Sequence, residues 1–332
     1  MSHHRNTQGA IMHLQGIEKV TLTALDLETA RKFYTDWGLT LTHQSDAHLL
    51  FETLNGCQVS VHESLDPHLP AGIEKDPTLR EITWCVKDAQ TLEHFASKLS
   101  HLESFEKHPD TVKCKDPSGL SIAITVTQKR DLKLQSAITN SWDQRQRINQ
   151  PSPIYERATP VEVGHVVLFV ADLAQCSSFY QEFLGFTVSD TYPNRGHFLR
   201  CTPNGGHHDL FMLELPEKRV GLNHIAFTVR DLHEVFGGGM HMSRCGWKTE
   251  LGPGKHPVSS AIFWYFHAPT GALVEYYADE DELTPEWVAR EITPGPTMFA
   301  EWAIKGGIDG HTRRQIEAQA PTGQFMTDMP KK

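Results

Sequence analysis

The sequence predicts an α+β fold of four βαβββ modules, paired into two halves and followed by a C-terminal extension. Internal repetition carries the prediction. The stretch IEKVTLTALDLETARKFYTDWGLTL (17–41) and the stretch VGHVVLFVADLAQCSSFYQEFLGFTV (163–188) share one frame: a strand, Asp-Leu, a helix bearing Phe-Tyr, a glycine, then another strand. Two further copies begin at LREITWCVKD (79–88) and LNHIAFTVRD (222–231). A length of 332 residues fits two domains and leads us to expect two cores.

Each module reads from its punctuation. Asp26, Asp88, Asp172 and Asp231 fall at helix starts, where a carboxylate accepts from free N–H groups. Gly38 and Gly185 stand where a helix must end in the left-handed region. The second and fourth copies close in KDPSGLSIAITV (115–126) and HAPTGALVEYYA (267–278), a Pro/Gly turn before an alternating strand. The expected organisation is an N-terminal tail (1–13), a first module pair (14–127), a polar proline-bearing linker (128–160), a second pair (161–283) and an extension (284–332). Within the extension, TPEWVAREITPGPTMFAEWAIKGG reads as packed over the second pair, and PTGQFMTDMPKK as disordered.

Composition narrows the function. The net charge of −10 and the lack of a basic block argue against nucleic acid. No run has the apolar length of a membrane helix, and MSHHRNTQGA lacks the profile of a signal peptide. Six scattered cysteines without a C-x-x-C pair read as reduced thiols, so a cytoplasmic protein is expected. Twenty histidines make an ion or acid–base site worth seeking.

Registering the repeats locates one. In the second pair, the first strand of each module carries His165 and His224, and the last strand carries Glu275. Alternation puts His165, Val167 and Phe169 on one face, His224, Ala226 and Thr228 on another, and Leu273, Glu275 and Tyr277 on a third. The residues between them, such as Val166, Leu168, Ile225 and Phe227, are apolar and can pack on the helices. Two imidazoles and a carboxylate can thus enter one concavity. The matching positions of the first pair are Lys19, Glu81 and Ala123, which cannot form such a trio. A lone strand histidine is usually an ordinary core or surface residue; three registered ones, absent from the sister half, point to a metal. Two His and one carboxylate suit non-haem Fe(II), and Mn(II) accepts the same donors.

The second half resembles the type I extradiol, catechol-cleaving dioxygenases of the vicinal oxygen chelate superfamily. His256, Tyr265, Pro269, Gly271 and Glu275 in GKHPVSSAIFWYFHAPTGALVEYY (254–277) fall in that family's slots, and GHFLRCTPNGGHHDLFML (196–213) resembles the segment holding its acid–base histidine, here His208. The resemblance covers about residues 14–280. It implies two vicinal-oxygen-chelate domains, the second of them catalytic. It implies His165, His224 and Glu275 as metal ligands, His208, His256 and Tyr265 as catalytic residues, and a catechol and O₂ as substrates. Trp264 and Val258 depart from the family's usual residues, an aliphatic or Phe and, in some members, Asn. Phe198, Val258, Phe263 and residues of the extension are expected to wall the pocket, a mostly apolar set fitting a substituted or bicyclic catechol. His207 is expected to be structural or solvent-facing, with Asp209 orienting its neighbour, and the aromatic extension suggests a homo-oligomer.

Two rivals share the module. A glyoxalase-type isomerase takes a fourth ligand from the other module, a slot falling near Met212 with Glu214 two residues on. A ligand-sequestering protein of the bleomycin-resistance kind needs no metal, and therefore no trio.

Overall fold

The computed structural model describes residues 12–293, 295 and 298–304. His3, His4 and the expected disordered end at 321–332 lie outside the described residues. Eight strands from the first half form one sheet, and ten strands, including short ones from the extension, form a second. In each half the leading strands of the two modules lie antiparallel at the centre. Leu14–Ala24 pairs with Leu79–Val86, and Glu162–Phe169 with Gly221–Thr228. Each is flanked by a parallel strand from its own module. In the second half these are Leu210–Leu213 and Leu273–Ala278.

The helices begin where short acidic side chains stop the strands. The Asp26, Asp88, Asp172 and Asp231 side chains each accept a backbone N–H in the first turn. Gly185 ends its helix at φ 76, and Gly38 follows its helix at φ 99. Val166, Leu168, Ile225 and Phe227 join the helix-facing core as alternation requires, whereas Val167, Ala226 and Tyr277 lie on the opposite face.

The expectation of two separate cores does not hold, because one contiguous apolar cluster runs through both halves. Helix Leu27–Asp36 of the first half packs its C-cap Trp37 flat on Tyr276 of the second, ring centroids 3.5 Å apart, and the Tyr276 hydroxyl donates to the Trp37 carbonyl at 2.7 Å. The buried aromatic faces of each half are completed by the other, so neither closes a core alone.

Two glycines set close approaches that position the functional face. Gly239, in helix Leu232–Arg244, lets the helix backbone rest on the Trp264 indole, where a Cβ would stand 2.0 Å from a ring carbon. Trp264 thus faces the helix layer, and its departure from the family's usual residue leaves the opposite, concave face untouched. Gly164 lies at a bulge in the pairing of the two central strands, immediately before His165. A Cβ there would meet the Tyr277 hydroxyl at 2.0 Å and Thr228 Oγ1 at 2.6 Å, breaking the Thr228–Tyr277 hydrogen bond of 2.9 Å. Gly164→Ala is expected to destabilise the chain by about 1–3 kcal/mol, a typical overpacking cost. A thermal unfolding midpoint within error of the parent's would contradict this.

Candidate metal centre and substrate pocket

His165, His224 and Glu275 converge. His165 Nε2 lies 3.3 Å and His224 Nε2 3.1 Å from Glu275 Oε2, and the two nitrogens are 3.4 Å apart. All three residues are buried, Glu275 fully. The register explains the meeting: Ala226 opposes both His165 and Glu275, so side chains from three adjacent strands share one end of the concave face. The same register in the first half sets Thr83 opposite both Lys19 and Ala123. There Glu81 is neutralised by Lys113 Nζ at 2.8 Å and accepts from Ser121 Oγ at 2.9 Å. The sister position is an ion pair with no second acidic or imidazole donor from Ala123 or Lys19.

The donor set fits a metal. Neighbouring ligands on an ion with bonds of about 2.1 Å lie roughly 3 Å apart, close to the spacing of these three atoms. Glu275 Oε2, although near both nitrogens, receives no well-directed hydrogen bond, and buried His165 Nδ1 also lacks a partner. Buried polar atoms left unsatisfied in this way are costly unless something else engages them. Protonation states agree. Burial would raise the Glu275 carboxyl, but the neighbouring His165, His224 and His256 imidazoles hold it well below its ordinary value. Burial, with His208 as the next cause, draws His165 down to about 4, leaving the neutral imidazole that ligates metals. His224 is oriented by its neighbour: Asn223, the extra residue at the second bulge of this strand pair, places Oδ1 2.7 Å from His224 Nδ1.

His165 and His224 open into a cavity of about 250 Å³. His208, His256 and Tyr265 also line it, so five of the six residues expected from the sequence surround one space, and fully buried Glu275 lies behind the two imidazoles it contacts. The His208 ring lies 4.1 Å from that of His165. Burial, then His207, keeps His208 well below its ordinary value, so it is an unprotonated base near neutral pH. His256 Nδ1 contacts the Phe299 carbonyl at 2.6 Å, so that nitrogen carries the proton and Nε2 accepts from the Tyr265 hydroxyl at 3.1 Å. Burial, followed by the Glu275 charge, holds the Tyr265 phenol well above its ordinary value, so it remains a donor.

The walls are apolar. Phe198 and Phe211 stack at 3.8 Å with parallel planes, and Val167 and Val258 complete that side. Phe263 is not a wall: it is fully buried and stacks at 4.0 Å behind His256. His207 is structural rather than solvent-facing, being fully buried with Nε2 2.8 Å from Asp190. Asp209 does not orient His208 but accepts from Cys201 N at 2.7 Å. The extension contributes Met298 and Phe299 to the rim, a role that no periodicity marks because it depends on pairing across the whole second half.

The slot for a fourth ligand is also corrected. Register makes Phe211, opposite Val167, the counterpart of Glu275, opposite Ala226. Met212 turns into the helix-facing core, and Glu214 Oε2 accepts from Leu173 N at 2.9 Å, at the start of helix Leu173–Leu184. A phenyl ring therefore occupies the place where the isomerase reading needs a carboxylate.

A family model described as the Glyoxalase/Bleomycin resistance protein/Dioxygenase superfamily matches residues 162–276, within the second half. Among curated relatives, Metapyrocatechase 2 of Cupriavidus necator is 33% identical over 149 residues, 44% of this chain and 46% of that protein. The match thus spans about half the length of that relative. Two solved structures share the fold over nearly the whole chain. The Mn(II)-bound glyoxalase from Novosphingobium aromaticivorans has a TM-score of 0.69 at 21% identity, covering 89% of this chain and 93% of its own. A halotolerant catechol dioxygenase has a TM-score of 0.68 at 18% identity, covering 88% and 94%. These likenesses establish the paired-module α+β architecture. Among the described residues, no helix is long and apolar enough to cross a membrane.

Proposed function

We propose that the chain is an extradiol dioxygenase. It would open a catecholic ring, substituted or bicyclic, at the carbon–carbon bond beside the diol, with both atoms of O₂ entering the product. The observation that carries this reading is the three-residue donor set at the floor of an apolar, ring-sized cavity, with a buried neutral base beside it. His165, His224 and Glu275 would hold Fe(II), with Mn(II) able to accept the same donors. When bound, the ion would supply Lewis-acid and redox chemistry toward the diol and O₂.

The chain's own residues do the rest. One carboxylate against two neutral imidazoles leaves the bound centre net positive, which favours a catecholate anion. His208 takes a proton from a diol hydroxyl, an action suited to a base neutral at working pH. Tyr265 donates a hydrogen bond toward a substrate oxygen, and His256 holds that hydroxyl in place from Nε2. Phe198 and Phe211 wall one side of the ring, and Val167 and Val258 help keep water from the reacting carbons. The walls leave Val258 where a polar residue would hold a hydrophilic substituent, so apolar-substituted catechols fit better than acidic ones.

Phe211 in the fourth-ligand slot favours this reading over a glyoxalase-type isomerase. The converging trio favours it over a sequestering protein, which has no use for buried donors at this spacing. Removing only the phenol oxygen, Tyr265→Phe, is expected to lower kcat by about 10-fold, the worth of one net hydrogen bond of about 1–1.5 kcal/mol. Bound metal should be unaffected. Steady-state O₂ consumption checks this, and an unchanged kcat would remove Tyr265 from the catalytic set. The aromatic extension supports a homo-oligomer as part of the same proposal, tested by light scattering of the intact chain.

A further inference from the structure

We propose that Asp190, His207 and Arg290 are positioning residues that fix the tautomer of His208, placing its proton on Nδ1 and leaving Nε2 as the atom that accepts the substrate proton. The catalytic consequence rests on the dioxygenase reading, whereas the tautomer assignment does not.

A chain of donors and acceptors runs inward from the extension. Arg290 has donors only. Its backbone N reaches Asp190 Oδ1 at 2.7 Å, and its Nε reaches both carboxylate oxygens at 3.1 Å. Its guanidinium also donates to the Val258 carbonyl at 2.7 Å, tying the segment to the pocket wall. Asp190 is fully buried and, so engaged, is an ionised carboxylate that can only accept. His207 Nε2, 2.8 Å away, must therefore carry a proton. Arg290 already neutralises Asp190, so a second positive charge on fully buried His207 would have no uncompensated carboxylate at hydrogen-bond distance. His207 is thus the Nε2–H tautomer, and its Nδ1 is a lone pair.

That lone pair lies 3.2 Å from His208 Nδ1. Two lone pairs do not face each other at that distance, so His208 Nδ1 is the donor. Glu280 Oε1 lies 3.3 Å from the same nitrogen but makes no hydrogen bond to it, so the His207 contact decides the assignment. A neutral imidazole has one ring proton, so Nε2 is left bare. A buried carboxylate one residue removed from the base thus sets which nitrogen is basic, and it is itself held by a segment outside the paired modules.

The test is long-range ¹H–¹⁵N NMR of the metal-free full chain with labelled histidine, His208 being assigned by the loss of its signals in His208→Gln. The expected result is a protonated Nδ1 and a bare Nε2 in the parent chain. In Asp190→Asn, Arg290 claims the amide oxygen and the amide nitrogen donates to His207 Nε2. The relay then reverses, and the proton moves to His208 Nε2. In the iron-loaded enzyme, kcat of Asp190→Asn falls by about 10²-fold or more while KM changes little, because general-base catalysis is worth about 10²–10⁴-fold. Asp190→Glu, which restores an acceptor, should recover part of that loss. A parent His208 protonated on Nε2, a doubly protonated His207, an unmoved tautomer in Asp190→Asn, or a shift produced only by Glu280→Gln would each overturn the proposal. If the tautomers behave as stated but no catechol is turned over by the parent chain, the relay stands and the dioxygenase reading falls.

Discussion

Glu275→Ala is expected to leave the purified chain without stoichiometric iron and without measurable catechol turnover. Glu275 supplies the only negative charge among the three converging donors, and its Oε2 is the corner within 3.1–3.3 Å of both imidazole nitrogens. Its removal leaves only two imidazole nitrogens 3.4 Å apart, too weak a claim on a divalent ion. Partners outside a ligand set typically cost about 10–100-fold in metal affinity when removed, so a ligand itself should cost more than about 100-fold. Metal content per chain after dialysis, measured beside O₂ consumption, checks both parts. A variant that retains one iron per chain would place the metal elsewhere.

His208→Ala separates binding from chemistry. This ring lines the cavity beside His165 but is not one of the converging trio. The variant should keep its metal and bind catechol anaerobically much as the parent does, while kcat falls by about 10²–10⁴-fold, the range for a positioned acid–base group. A fall in metal content equal to the fall in kcat would mean that His208 is a ligand, and an unchanged kcat would remove it as the base.

Much of this site was legible because the chain repeats itself. Alternation along 163–169 and 222–229, with the turn before Leu273, specified which faces the donors share, and the sister half acted as an internal control at Lys19, Glu81 and Ala123. What escaped was whatever depends on broken alternation or distant pairing. Asn223 reaches His224, and Gly164 makes room for Tyr277, only because the two central strands are bulged at those points, and a period of two does not reveal a bulge. Phe263 was misplaced for a related reason: it shares the concave side with the pocket walls but lies beneath His256. The expected fourth-ligand slot falls one residue beyond the observed one, and in a strand a one-residue slip exchanges core for cavity, here Met212 for Phe211. Arg290 reaches Asp190 across a hundred residues, a pairing with no local signal.

The central claim, that this pocket cleaves catechols, is tested most directly by O₂ uptake. The chain would be reconstituted anaerobically with Fe(II), then exposed in air to a panel of substituted and bicyclic catechols. The account predicts one O₂ consumed per catechol, with the yellow absorbance of a ring-opened semialdehyde. Iron bound at one per chain with no O₂ uptake across the panel would contradict it.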